Sequence, residues 1–72
     1  MYILVYDIPY GRELSGTTFY RFDMLRAKVN AKRLQQSVFL CEDKKGVMEL
    51  ADFLRKVGAN VRIFKVEEEV GL

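Results

Sequence analysis

The stretch "MYILVYDI", residues 1–8, decides how the rest of the chain is interpreted. It is short, rich in aliphatic and aromatic side chains, and followed by Pro9, which is typical of a β-strand closed by a turn. Asp7 is the only charged side chain in it. A carboxylate in an otherwise apolar strand is paired, bound to a ligand, or placed at a strand end within reach of water.

Helix patterns flank a central strand segment. After a glycine-containing loop, Phe22, Leu25 and Val29 form the apolar stripe of a first helix, with Thr17 or Thr18 as candidate N-cap. The segment "KRLQQSVFLCE" has room for one long strand or two short ones. A second helix is predicted from apolar residues at a 3.6-residue period, namely Val47, Leu50, Ala51, Leu54 and Val57.

Gly58 is placed to end the second helix, and "NVRIFKVE" then reads as the last strand. The order of elements is therefore β-α-β(β)-α-β. This order predicts one α+β domain over residues 1–72, a ferredoxin-like β-α-β-β-α-β sandwich with both helices on one face of the sheet.

The strands are apolar on both of their faces. Alternation along the first strand places Ile3 and Val5 on one face, and the opposite face is also apolar. Because the helices cover only one face, we expect a homodimer that meets sheet to sheet. Asp7 shares parity with Ile3 and Val5, but the sequence leaves open which parity faces the partner.

Composition excludes several classes of protein. The chain has 72 residues, no histidine and a single cysteine, Cys41, so it can form neither an intrachain disulfide nor a Cys/His zinc site. The lone cysteine indicates a reducing compartment. No apolar run reaches membrane-spanning length. We therefore expect a cytoplasmic protein without a membrane partner.

The net charge of +2 is too small to identify a partner, but its distribution is uneven. Between residues 21 and 33 one acid, Asp23, stands against five bases: Arg21, Arg26, Lys28, Lys32 and Arg33. Such a segment forms a solvated helix face or binds the phosphates of a nucleic acid. The sequence pattern alone allows both.

The strand "MYILVYDI", the basic helix and the later "RLQQSVF" together resemble the CRISPR-associated protein 2 family. That family has a hydrophobic first strand ending in Tyr-Asp-Ile, an arginine-rich helix and a Gln-x-Ser-Val-Phe strand. The matching positions here are Tyr6, Asp7, Ile8, Arg21, Arg33, Gln35, Ser37, Val38 and Phe39.

The resemblance implies a ferredoxin-like homodimer in which two copies of Asp7 approach each other and bind Mg²⁺ or Mn²⁺. Asp7 would then be the catalytic and metal-binding residue of a nuclease acting on RNA or double-stranded DNA. The resemblance also implies a scaffold that holds DNA by its backbone beside the CRISPR-associated protein 1 integrase. The expected nucleic-acid-binding residues are Arg12, Arg21, Lys28, Lys32 and Arg33, and the expected supporting residues are Tyr6, Ser37 and Phe39.

Several of these residues could also have simpler, structural roles. Asp7 could accept backbone N–H groups or pair with Arg12, and Arg33 could pair with an acid. Tyr6 fits a dimer core as well as a position near a metal, and Phe39 fits a core.

Two other functions match the same order of elements. One is a toxin-type endoribonuclease similar to virulence-associated protein D, which shares the fold and a first-strand aspartate. The other is a non-enzymatic ligand-sensing module of the ACT-like kind, in which "GANVRIF" is an ordinary helix-to-strand turn.

Overall fold

A computed structural model describes residues 1–9 and 14–67. Within these ranges the predicted order of elements is confirmed, and the central segment forms two short strands. The elements are β1 (Tyr2–Asp7), α1 (Gly16–Lys28), β2 (Lys32–Gln35), β3 (Val38–Cys41), α2 (Lys44–Lys56) and β4 (Asn60–Lys65).

The four strands form one antiparallel sheet in the order β2-β3-β1-β4. Leu4, at the centre of β1, lies between Phe39 of β3 and Ile63 of β4. The ladder between β2 and β3 is irregular between Arg33 and Gln35. This α+β arrangement of four antiparallel strands and two helices is compatible with a ferredoxin-like fold.

Both helices pack on one face of the sheet. Phe22 of α1 lies edge-on to Phe39, with ring centroids 5.3 Å apart, and also contacts the ring of Tyr6. From α2, Leu50 and Leu54 are completely buried in the same core. The apolar side chains of this layer are the main favourable contribution to the stability of so small a chain.

The residues that begin the helices have side chains that accept backbone hydrogen bonds. Ser15 is the N-cap of α1 and accepts from the Thr18 amide at 3.1 Å, so the expectation of Thr17 or Thr18 as N-cap is wrong. A serine oxygen one position before the helix can reach the third helical amide, whereas a residue inside the first turn cannot. Asp43 caps α2 by accepting from the Gly46 amide at 3.1 Å.

The face of the sheet opposite the helices is the open face. Cross-strand register places Ile3, Val5 and Asp7 of β1 on it, because Leu4 and Tyr6 point into the helix-covered core. Asp7 is therefore on the side of the sheet that the helices do not cover. Across residues 1–9 and 14–67, neither helix has the length and apolar run that a membrane crossing requires.

Candidate functional site

The centre of the open face is apolar. Its side chains come from three neighbouring strands and are only half-buried or exposed: Ile3, Val5, Val38, Leu40 and Phe64. Phe64 is 51% exposed, which is high for a phenylalanine in a sheet. A contiguous apolar surface of this kind is typical of an interaction site.

Asp7 is the last residue of β1 and lies, exposed, at the polar end of the open face. Its register partner is Asn60, the first residue of β4. Within residues 1–9 and 14–67 the carboxylate has no hydrogen-bond partner, and the single ion pair in those ranges joins Arg26 to Asp23 at 2.8 Å. In that part of the chain Asp7 is thus a strand-end carboxylate that solvent and ligands can reach.

Asp7 lines a groove of about 700 Å³ at this end of the sheet. The polar groups of this Asp7 groove are Asp7, Arg55, Asn60 and Arg62. Arg62 sits opposite Val5 in the β1–β4 ladder, two residues along β4 from Asn60, so both share the open face with Asp7. Arg55 comes from the last turn of α2.

Sequence reasoning missed Arg55, Asn60 and Arg62 as candidate site residues. Strand alternation in "NVRIFKVE" does place Asn60 and Arg62 on one face. Only the register Asp7–Asn60 shows that this is the face of Asp7, and register is a property of the paired strands. Nothing in the sequence marks Arg55 as a site residue, because it looks like any arginine at an exposed helix position.

The predicted nucleic-acid-binding residues are divided between different surfaces. Arg21 and Lys28 are exposed on α1, in the helix layer. Lys32 pairs with Leu40 and so lies on the open face, whereas Arg33 pairs with Phe39 and lies on the helix side of β2. Arg12 lies outside the described residues.

These bases do not form one cluster around Asp7. From the register, Lys32 is roughly 13 Å along the strands and roughly 10 Å across them from Asp7. The α1 bases lie on the other side of the sheet. Arg33 comes nearer, because its guanidinium donates to the Gln36 carbonyl at 3.3 Å, in the β2–β3 turn beside the end of β1.

The supporting residues belong to the core and to that turn. Phe39 and Tyr6 are buried on the helix side, with stacked rings 6.1 Å apart. The Tyr6 hydroxyl donates to the Gln36 carbonyl at 3.4 Å, and the Tyr6 amide donates to the Ser37 carbonyl at 3.1 Å. These two hydrogen bonds hold the end of β1, which carries Asp7, against the β2–β3 turn.

The described residues of one chain bring no three metal-ligating side chains of the His, Cys, Asp or Glu type together. Each copy offers one exposed carboxylate, Asp7, at this position. Mg²⁺ takes six oxygen ligands, commonly one or two carboxylates with water and phosphate oxygens making up the rest. The donor chemistry therefore fits a magnesium or manganese ion if a second copy or a bound phosphate completes the site.

The chain matches no protein-family model and no curated protein. Among solved structures it is similar to a hypothetical protein from Thermus thermophilus. The two are 26% identical, with a TM-score of 0.59, and the match covers 99% of this chain and 85% of that one. This likeness supports the α+β fold with its four-stranded antiparallel sheet.

Proposed function

We propose that the protein is a ferredoxin-like homodimer that binds the backbone of nucleic acid and uses Asp7 to bind a divalent cation. In this proposal it acts in CRISPR adaptation, as the resemblance of "MYILVYDI" and "RLQQSVF" to the CRISPR-associated protein 2 family implies. One observation carries the proposal: Asp7 is exposed at the polar end of an uncovered apolar sheet face.

In this proposal a second copy of the chain covers the open face. Two such faces packed together would bury Ile3, Leu40 and Phe64 and would place both copies of Asp7 at the same interface. Two carboxylates together supply more of the oxygen ligands that Mg²⁺ or Mn²⁺ requires than a single carboxylate does. When bound, such an ion activates water and stabilises charge on a phosphodiester.

Side chains with the charge to bind phosphate are present on the described surface. Arg21 and Lys28 are exposed on α1 and have no carboxylate within 4.0 Å among residues 1–9 and 14–67. Arg26, by contrast, is engaged with Asp23 and with the Ala31 carbonyl. Backbone binding of this kind needs cations and no base-reading groups, which is what a DNA scaffold for an integrase partner requires.

The proposal is tested by cleavage of short double-stranded DNA and single-stranded RNA in Mg²⁺, in Mn²⁺ and in chelator. Asp7→Asn removes the charge and keeps the shape. Loss of a metal ligand removes several kcal/mol of transition-state stabilisation, so we expect cleavage to fall more than about 100-fold. Lys44→Gln, an exposed change at the start of α2, is the matched control and should leave cleavage unchanged.

Metal-dependent cleavage that survives Asp7→Asn would contradict the role of Asp7. The choice of substrate separates the two nuclease hypotheses. Cleavage of RNA alone, with growth arrest on expression that Asp7→Ala relieves, would favour the toxin-type endoribonuclease. Absence of nucleic-acid binding at every salt concentration would favour the ACT-like module, since backbone binding by cations is strongest at low salt.

A further inference from the structure

We infer that the Asp7 groove is a phosphate-binding site in which Arg55 and Arg62 bind the phosphate oxygens. The inference deepens the proposed function, and rests on it for the expectation that the phosphate belongs to a nucleic acid. It assigns a ligand to two arginines that lie outside the predicted basic segment.

Arg62 projects from β4 on the open face, Arg55 comes from the last turn of α2, and both line the same groove. Its volume of about 700 Å³ lies within the range of small-ligand sites. Because α2 lies on the helix side of the sheet and Arg62 on the open face, the two arginines reach the groove from opposite sides of the sheet end.

Two arginines and a single carboxylate give the groove an excess positive charge. Within residues 1–9 and 14–67, neither arginine has a carboxylate within 4.0 Å, although Asp52 stands three residues before Arg55 on α2. No described carboxylate therefore occupies their donors, and the planar guanidinium matches phosphate oxygens in pairs.

Asn60 and Asp7 are the other polar residues of the groove. The Asn60 amide offers both a donor and an acceptor. Asp7 itself repels a phosphate unless a cation lies between them. Divalent cation and phosphate should therefore bind cooperatively in the wild type, whereas in chelator Asp7→Asn should bind phosphate more tightly than the wild type does.

The test is a ligand titration of the isotope-labelled protein, first in chelator and then in Mg²⁺. Binding is monitored through the backbone amide NMR signals. The ligands are adenosine, AMP and an eight-nucleotide single-stranded DNA. We expect AMP and the oligonucleotide to shift the Asn60 and Arg62 amides, and adenosine to leave them in place. Arg55→Gln and Arg62→Gln should each weaken AMP binding about tenfold, with Lys44→Gln unchanged.

The outcomes separate this inference from the proposed function. If both AMP and the oligonucleotide shift the amide signals of the groove residues, the result supports the groove site and the proposed function. Groove shifts with AMP alone, and no oligonucleotide binding anywhere, support a free-nucleotide site and contradict the nucleic-acid function. Oligonucleotide shifts confined to α1 overturn the groove site and leave the proposed function standing. The spectra also show whether each variant is folded, and either arginine variant suffices to decide.

Discussion

Gly46 shows how closely the two helices approach at the level of single atoms. It is buried in the first turn of α2, where an added Cβ would lie 3.0 Å from the Val29 Cβ and 3.1 Å from the Cys41 Sγ. The Val29 Cβ is attached directly to the backbone, so it cannot move away cheaply. An alanine here would therefore push its neighbours away by a few tenths of an ångström.

We expect Gly46→Ala to lower the free energy of unfolding by about 1 kcal/mol or more, because the cost of overpacking exceeds the gain in helix propensity. Gly16→Ala is the matched control, since a Cβ at the first position of α1 meets nothing within 4 Å. It should raise the free energy of unfolding by up to about 1 kcal/mol. Urea unfolding measures both, and a stabilised Gly46→Ala would contradict this packing.

Asp7 and Arg62 mark the limit of prediction for single residues. The strand parity of Asp7 with Ile3 and Val5 was available from alternation, and so was its position at a strand end. The neighbours of its carboxylate were not, because Arg62 is 55 positions away and joins the site only through the β1–β4 register.

At the scale of elements, both helices end in the same way. In α1 the amides of Asn30 and Ala31 donate to Ala27 and Arg26, and in α2 those of Gly58 and Ala59 donate to Arg55 and Leu54. These are Schellman motifs, with Asn30 at φ 57° and Gly58 at φ 90° in the left-handed region. Each motif turns the chain directly into the next strand.

Gly58→Ala should lower the free energy of unfolding by about 1 kcal/mol, because a side chain with a Cβ is strained at that backbone conformation. Asn30→Gly makes the opposite change at the equivalent position of α1. It should leave stability unchanged or slightly higher. Thermal unfolding of both variants is the measurement, and full stability of Gly58→Ala would refute the strain.

The elements themselves were largely predictable. The 3.6-residue period of Val47, Leu50 and Leu54 and the stop at Gly58 were sufficient for α2. The N-cap of α1 was assigned wrongly because three hydroxyl residues, Ser15, Thr17 and Thr18, stand close together. The sequence does not decide between one long strand and the pair β2 and β3, since no glycine or proline marks the turn at Gln36 and Ser37.

For the whole molecule, the open face is the feature on which the proposed dimer rests. Its half-buried and exposed apolar side chains lie on the three adjacent strands β3, β1 and β4. A domain of about this size buries only about 60% of the surface that its unfolded chain exposes, and burying this face in a dimer would add to its stability.

We expect light scattering after gel filtration to give about twice the chain mass of 8.4 kDa for the wild type. Ile3→Glu places a charge at the centre of the open face and should give the monomer mass. Tyr20→Glu is the control, because Tyr20 is 66% exposed on α1, in the helix layer. A wild-type monomer, or a dimer lost in Tyr20→Glu and kept in Ile3→Glu, would contradict the proposed interface.

The central claim is that two copies of Asp7 together bind one divalent cation. Electron paramagnetic resonance of free Mn²⁺ during a titration counts the bound ions per chain directly. We predict one Mn²⁺ for every two chains, with binding lost in Asp7→Asn and greatly weakened in the Ile3→Glu monomer. Undiminished Mn²⁺ binding in Asp7→Asn, or no binding by the wild type, would contradict the claim.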